Sequence, residues 1–107
     1  MMYYRLDGHT ITPVDDVKDW SRWFKSANRI IQRDVITGVT VSTVFLGIDH
    51  SFGDGSKPIL FKTIIFGGDH DDDQCYYATY DEAVAGHKRI VENILGNNAG
   101  GNKEGKK

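Results

Sequence analysis

A predicted β-hairpin constrains the fold of this chain more than any other feature. Its two segments, Val39–Ile48 and Pro58–Phe66, are rich in β-branched and aromatic residues, and the turn-forming run Gly53–Ser56 lies between them. Sequential strands joined by a short loop usually pair antiparallel. We therefore expect the two segments to form the centre of an antiparallel sheet.

The N-terminal third predicts a short β element followed by a helix. Residues 2–11 form either one strand or a small hairpin with Asp7-Gly8 at its tip. Thr12 is expected to cap the helix, with Pro13 at its first position. One apolar face at helical spacing follows, and Asn28 is the expected stop; the face comprises Val17, Trp20, Trp23, Phe24 and Ala27.

Two further segments complete the secondary structure. Arg29–Asp49 is interrupted at Thr37-Gly38, so it is either one long bent strand or two strands. A short aromatic strand is predicted at Cys75–Ala78. A capping box, Thr79-x-x-Glu82, then begins a helix that Gly96 and Asn97 are expected to end.

The predicted order is β-α-β-β-β-α. This order indicates the α+β class, with a small antiparallel sheet and two helices packed on one face. Residues 1–95 are expected to form one domain. The Gly- and Asn-rich residues 96–107 lack apolar periodicity and are expected to be a disordered tail.

Composition limits the possible functions of the chain. The 107 residues carry a net charge of −2, so we expect no broad binding of nucleic acid, which needs clustered Lys and Arg. The single Cys75 cannot form an internal disulfide, and residues 1–10 do not resemble a signal peptide. The apolar runs are shorter than the roughly 20 residues of a membrane helix. We expect a cytoplasmic protein without a cofactor.

Asp49-His50 and Asp69-His70 are the residue pairs best suited to metal binding. The predicted hairpin places them at opposite ends of a ladder, about 30 Å apart at roughly 3.3 Å per residue. A joint site would need a second subunit or a sharply bent sheet. The alternative metal site therefore uses Asp49, His50 and His87.

The other polar and aromatic residues allow weaker interpretations. Asp69, Asp71 and Asp73 match the start of a calcium loop, but the required Gly and Glu are missing. His87 lies on the apolar side of the last helix and is expected to be a core residue. Cys75 is expected to be buried.

Binding residues are expected around the hairpin loop and among the outward aromatic side chains. Polar groups beside a Gly-rich loop and exposed aromatic rings are commonly used for recognition. The predicted binding residues are Asp49, His50, Phe52, Lys57, Tyr77 and Tyr80.

Three segments resemble a group of small proteins from phages and prophages. They are VSTVFLGIDH at Val41–His50, Leu60–Gly68, and the YxTxxEAxxGH pattern at Tyr77–His87. Members of that group often carry Glu where this chain has Lys62. Any role of a carboxylate at that position is therefore absent from this chain. The resemblance implies a phage origin and an accessory role in the host cytoplasm, without an activity.

Two hypotheses follow from these observations. The first is a non-enzymatic binding module that engages a host protein or a small ligand, with counter-defence as one such role. Its basis is the lack of a convergent catalytic set. The alternative is a small metal-dependent hydrolase or nuclease using Asp49 and His50. A homo-oligomer is compatible with either hypothesis.

Overall fold

A computed structural model describes residues 3–51 and 57–99. Within these ranges the chain forms six strands and two helices. They are β1 (Tyr3–Asp7), β2 (Thr10–Val14), α1 (Val17–Ser26), β3 (Ile30–Ile36), β4 (Val39–Phe45), β5 (Phe61–Phe66), β6 (Gln74–Tyr77) and α2 (Tyr80–Ala99). The α+β class predicted from the sequence is confirmed.

The predicted central hairpin is present as β4 and β5. The two strands pair antiparallel, with Thr43 opposite Thr63 and Thr40 opposite Phe66. Pairing continues beyond the strands, because the His50 N–H donates to the Ile59 carbonyl at 2.9 Å. Strands β3 and β6 flank the hairpin, giving a four-stranded antiparallel sheet in the order β3-β4-β5-β6.

The segment Arg29–Asp49 contains two strands rather than one bent strand. Thr37 and Gly38 form the turn between β3 and β4, and both have left-handed backbone angles, with φ of 49° and 82°. Two-residue hairpin turns with two positive φ values match the right-handed twist of the strands. Gly adopts this conformation readily, whereas a β-branched Thr does not.

Thr37→Asn is therefore expected to stabilise the protein. Asn tolerates the left-handed region, and Asn-Gly is the preferred sequence for this turn. We expect the free energy of unfolding to rise by about 0.5–1 kcal/mol and the melting temperature by a few degrees. Urea denaturation followed by circular dichroism measures this change. An unchanged or lower stability would contradict the proposed strain at Thr37.

The N-terminal segment forms a separate two-stranded hairpin, and the predicted helix start is wrong. Thr12 and Pro13 lie in β2, opposite Arg5 and Tyr4 of β1. The helix cap is Asp16, whose carboxylate accepts the backbone N–H of Lys18 at 2.8 Å. Proline is tolerated in β2 because β1 is the one described strand that pairs with it, so the other edge of β2 is free. The cap therefore forms four residues later than Thr12.

Helix α1 packs against the β1–β2 hairpin. The indole N–H of Trp20, the one buried residue of α1, donates to the Tyr4 carbonyl at 2.8 Å. The partly exposed Phe24 ring lies beneath the Arg29 guanidinium, which is 3.9 Å from the ring centroid. The contact between Phe24 and Arg29 holds the start of β3 against α1.

Helix α2 begins as predicted but ends later. The hydroxyl of Thr79 accepts the Glu82 backbone N–H, and the Glu82 carboxylate accepts the Thr79 backbone N–H, each at 3.1 Å. Gly96 does not end the helix, because it lacks the left-handed angle of a glycine stop, and α2 continues to Ala99. Residues 96–99 are thus helical, whereas residues 100–107 of the predicted tail lie outside the described ranges.

The four-stranded sheet has one covered face. Helix α2 and the β1–β2 hairpin pack on this face, around a core of Tyr4, Phe45, Leu60, Phe61 and Ala83. Side chains alternate along β5, so Phe61, Thr63 and Ile65 are buried whereas Lys62, Ile64 and Phe66 point the other way. In the described part of the chain, neither helix has the length and apolarity needed to cross a membrane.

Candidate functional site

A hydrogen-bonded network centred on His87 joins α2 to three strands. The His87 side chain is 0% exposed. Its Nε2 lies 2.7 Å from a carboxylate oxygen of Asp34 on β3, and its Nδ1 lies 2.7 Å from the Thr43 hydroxyl on β4. The Thr43 hydroxyl is in turn 2.5 Å from that of Thr63 on β5. Both nitrogens of His87 are therefore satisfied, which confirms its prediction as a core residue.

The carboxylate, imidazole and hydroxyl of this network occur in the order found in nucleophilic triads. With neutral imidazole, Nε2–H donates to Asp34 and the Thr43 O–H donates to Nδ1. The hydrogen bond from His87 is the largest cause of the lowered pKa of Asp34. Thr43 is 0% exposed, however, so a substrate cannot reach its oxygen. We conclude that the network holds α2 on the sheet.

Sequence reasoning identified His87 but missed its partners. Thr43 and Thr63 lie opposite each other on the covered face. The predicted hairpin would have indicated this pair if the register of its two strands had been known. Asp34 lies in β3, in the segment whose strand pattern was ambiguous. Its pairing with His87 spans 53 residues and depends on tertiary packing.

Two of the predicted binding tyrosines are partly buried. Tyr77 and Tyr80 pack against the core, and Tyr80 stacks on His9 with ring centroids 3.8 Å apart. Burial is the largest cause of the raised pKa of Tyr77. Tyr76 is the tyrosine of β6 that points outward, with 47% exposure.

Asp49 closes the base of the hairpin loop. One carboxylate oxygen accepts backbone N–H groups from Ser51 and Ile59, at 2.8 and 2.9 Å, and the other accepts the Ser51 hydroxyl at 2.8 Å. The hydrogen bond from Ile59 is the largest cause of the lowered pKa of Asp49. The Asp49 carboxylate is thus committed to loop structure. Of the other predicted loop residues, Lys57 is exposed and Phe52 lies outside the described ranges.

His50 occupies the end of the sheet. Its Nδ1 lies 2.8 Å from the Ile48 carbonyl, so Nδ1 carries the proton and donates. Its ring stacks on that of Tyr76, with centroids 6.4 Å apart. His50 therefore adjoins the outward-facing surface of β6.

The described residues contain no group of three or more His, Cys, Asp or Glu side chains placed to hold a metal ion. Asp49, His50 and His87 thus do not assemble into the alternative metal site. Asp69-His70 lies beyond the opposite end of the β4–β5 ladder from Asp49-His50, as the register predicts. In the acidic loop, residues 69–73 between β5 and β6, the Asp73 carboxylate lies 2.9 Å from the His70 Nδ1 and the Asp71 carboxylate accepts the Gly67 N–H at 2.6 Å.

Cys75 is exposed, so the prediction that it is buried is wrong. It belongs to β6, the four-residue edge strand of the sheet. Its side of the sheet faces α2, but the edge position leaves the thiol accessible to solvent.

The second face of the sheet, here called the open face, carries exposed apolar side chains. No described helix or strand packs on it. Cross-strand pairing arranges its residues in three rows: Ile30-Val44-Lys62-Tyr76, Arg33-Ser42-Ile64-Gln74 and Val35-Thr40-Phe66. Val35 is 61% exposed, and Phe66 and Tyr76 are each 47% exposed. An uncovered apolar sheet face of this kind is a candidate interaction surface.

The charges of the open face differ from those of the whole chain. The three rows contain two cations, Arg33 and Lys62, and no carboxylate, although the chain has a net charge of −2. His50 adjoins the surface through Tyr76. The open face is thus an apolar and weakly basic patch.

Comparisons with protein-family models, curated proteins and solved structures find no match.

Proposed function

We propose that this protein is a non-enzymatic binding module whose open face docks onto another protein. The observation that carries the proposal is the exposure of Val35, Phe66 and Tyr76 on a sheet face that no described element covers. Apolar side chains exposed together on a soluble domain mark interaction surfaces, and aromatic residues and Arg are enriched at their centres. Docking removes this apolar area from water.

Charge complementarity defines the partner. Arg33 and Lys62 lie in adjacent rows on the two strands that flank β4, and Ile64 shares the row of Arg33. A fitting surface presents apolar side chains flanked by Asp or Glu, because buried cations need carboxylate partners. A second copy of the chain fits poorly, because face-to-face pairing would bring four cations together without a carboxylate.

A protein partner also fits better than a nucleic acid. Two cations neutralise few phosphates, whereas affinity for nucleic acid comes mainly from many such contacts.

The resemblance to phage and prophage proteins supports an accessory role in the host cytoplasm, with a host protein as the partner. Counter-defence is one such role. A metal-dependent hydrolase has less support, because the Asp49 carboxylate already accepts three hydrogen bonds.

Site-specific photocrosslinking in a bacterial host tests this proposal. A benzophenone amino acid replaces Phe66 on the open face or, as a control, Leu95 on α2, which is 50% exposed and apolar. We expect a protein adduct from position 66 that is absent from position 95. Equal adducts from both positions, no adduct, a homodimer, or an adduct removed by nuclease would overturn the proposal.

The purified partner then allows a quantitative measurement. Phe66→Asp is expected to weaken binding at least about tenfold, because it places a carboxylate in an apolar interface. Lys62→Glu is expected to weaken binding most at low salt, because it reverses the complementary charge. Leu95→Asp should leave Kd unchanged. A Kd that is insensitive to Phe66→Asp would place the interface elsewhere.

A further inference from the structure

Two adjoining cavities lie on the covered side of the sheet, between α2 and the acidic loop. The first has a volume of about 260 Å³ and the second about 210 Å³. Ile65, His70 and Ile94 line both cavities, which are therefore direct neighbours and are together called the groove. None of the residues that line this groove belongs to the open face.

The floor and the rim of the groove differ in chemistry. Ile65 of β5 and Ile90 and Ile94 of α2 provide an apolar floor. Two acidic residues lie at the edge, Asp69 in the lining of the first cavity and Asp73 in that of the second. The described lining residues of both cavities include no Lys or Arg. An occupant with an apolar body and a positive charge would complement both parts.

His70 adds a hydrogen-bond acceptor to this rim. Its Nδ1 is 2.9 Å from a carboxylate oxygen of Asp73, so in the neutral ring Nδ1 carries the proton and Nε2 is an acceptor. An ammonium group has only donors, and Nε2 and the carboxylates have only acceptors to offer. Asp69, His70 and Asp73 therefore suit an ammonium ion better than an anion or a neutral hydroxyl.

We propose that this groove binds a small organic cation, an amine whose apolar body lies on Ile65, Ile90 and Ile94 and whose ammonium group contacts Asp69, His70 and Asp73. The inference concerns a different surface from the docking site proposed above. Either one can fail without the other.

Cys75 provides a reporter for this proposal. It lines the second cavity, is exposed, and is the one cysteine of the sequence. Symmetrical disulfides with equally short alkyl tails ending in ammonium, hydroxyl or carboxylate are equilibrated with the protein under excess 2-mercaptoethanol. The Cys75 thiolate attacks one sulfur of the probe and releases the other half as a thiol. Mass spectrometry of the intact protein gives the labelled fraction.

We expect the labelling equilibrium constant to be about two- to fivefold higher for the ammonium probe than for the hydroxyl probe, and lowest for the carboxylate probe. Asp73→Asn and Asp69→Asn should each reduce this preference. Asp15→Asn is the matched control, because it removes the same charge from an exposed position outside the groove. Equal labelling by the three probes, or equal effects of all three variants, would overturn the proposal.

A free ligand supplies the second measurement. At millimolar concentrations, 2-phenylethylamine should slow the alkylation of Cys75 by iodoacetamide with a saturable dependence, and Ile94→Asp should abolish the protection. Benzyl alcohol, which lacks the charge, should protect less. Absence of protection by the amine, or equal protection by the alcohol, would show that the groove does not select an organic cation.

Discussion

His87→Ala is expected to lower the free energy of unfolding by about 3–5 kcal/mol, the largest effect of any single substitution considered for this protein. The substitution removes the hydrogen bonds to Asp34 and Thr43 and leaves a cavity between α2 and the sheet. Thr43 is 0% exposed and would lose its imidazole partner without access to water. Urea denaturation at neutral pH measures the loss.

Two matched variants distinguish the stability lost with the hydrogen-bonded network from the effect of any substitution in α2. Lys88→Ala changes the neighbouring exposed residue and should cost less than about 0.5 kcal/mol. His87→Leu fills most of the space but makes no hydrogen bond, so its cost isolates the polar contribution. A loss below about 1 kcal/mol for His87→Ala would contradict the role given to the network.

The lowered pKa of Asp34 gives this network a dependence on pH. A carboxylate whose pKa is lower in the folded state stabilises the protein above its ordinary value of 3.8. That contribution disappears as the pH falls through the folded-state pKa. The stability difference between wild type and Asp34→Asn should therefore be present at neutral pH and shrink below 3.8. The reverse trend would show that Asp34 is not an acceptor in the network.

Local sequence patterns predicted those secondary-structure elements for which the sequence offers a single local signal. The capping box joins Thr79 and Glu82, three residues apart, and the β4–β5 hairpin joins two β-rich segments that follow one another in the chain; both are confirmed. Capping by Asp16 was missed, because Thr12 and Pro13 satisfy the same local preferences but pair with β1 instead. Pairing with β1 across the tight turn at Gly8-His9 decided between the two starts.

The candidate surfaces were harder to predict, because both depend on which side of the sheet is covered. The sequence showed apolar residues on both faces of the hairpin but not that α2 and the N-terminal hairpin share one side. Tyr76, Phe66 and Val35 are exposed for that reason. Tyr77, one residue from Tyr76, was predicted as a binding residue but points to the covered side.

Gly86→Ala is expected to destabilise the protein by about 1–3 kcal/mol, even though Ala favours a helix by about 1 kcal/mol over Gly. A Cβ at Gly86 would lie 2.5 Å from Cζ of Tyr77, so α2 or the tyrosine ring must move. Gly96→Ala is the matched control in the same helix. Its Cβ would meet nothing within 4 Å, so the substitution should leave stability unchanged or raise it.

Tyr77→Ala in the Gly86→Ala background tests the cause of this destabilisation. If the overlap with the tyrosine ring is responsible, the double variant should lose less stability than the two single variants summed. Denaturation of all four proteins gives the coupling energy. Additive losses would show that Gly86 is needed for another reason. A coupling of about 1 kcal/mol or more would establish that the close approach of α2 to β6 depends on a residue without a side chain, one turn before the groove floor at Ile90.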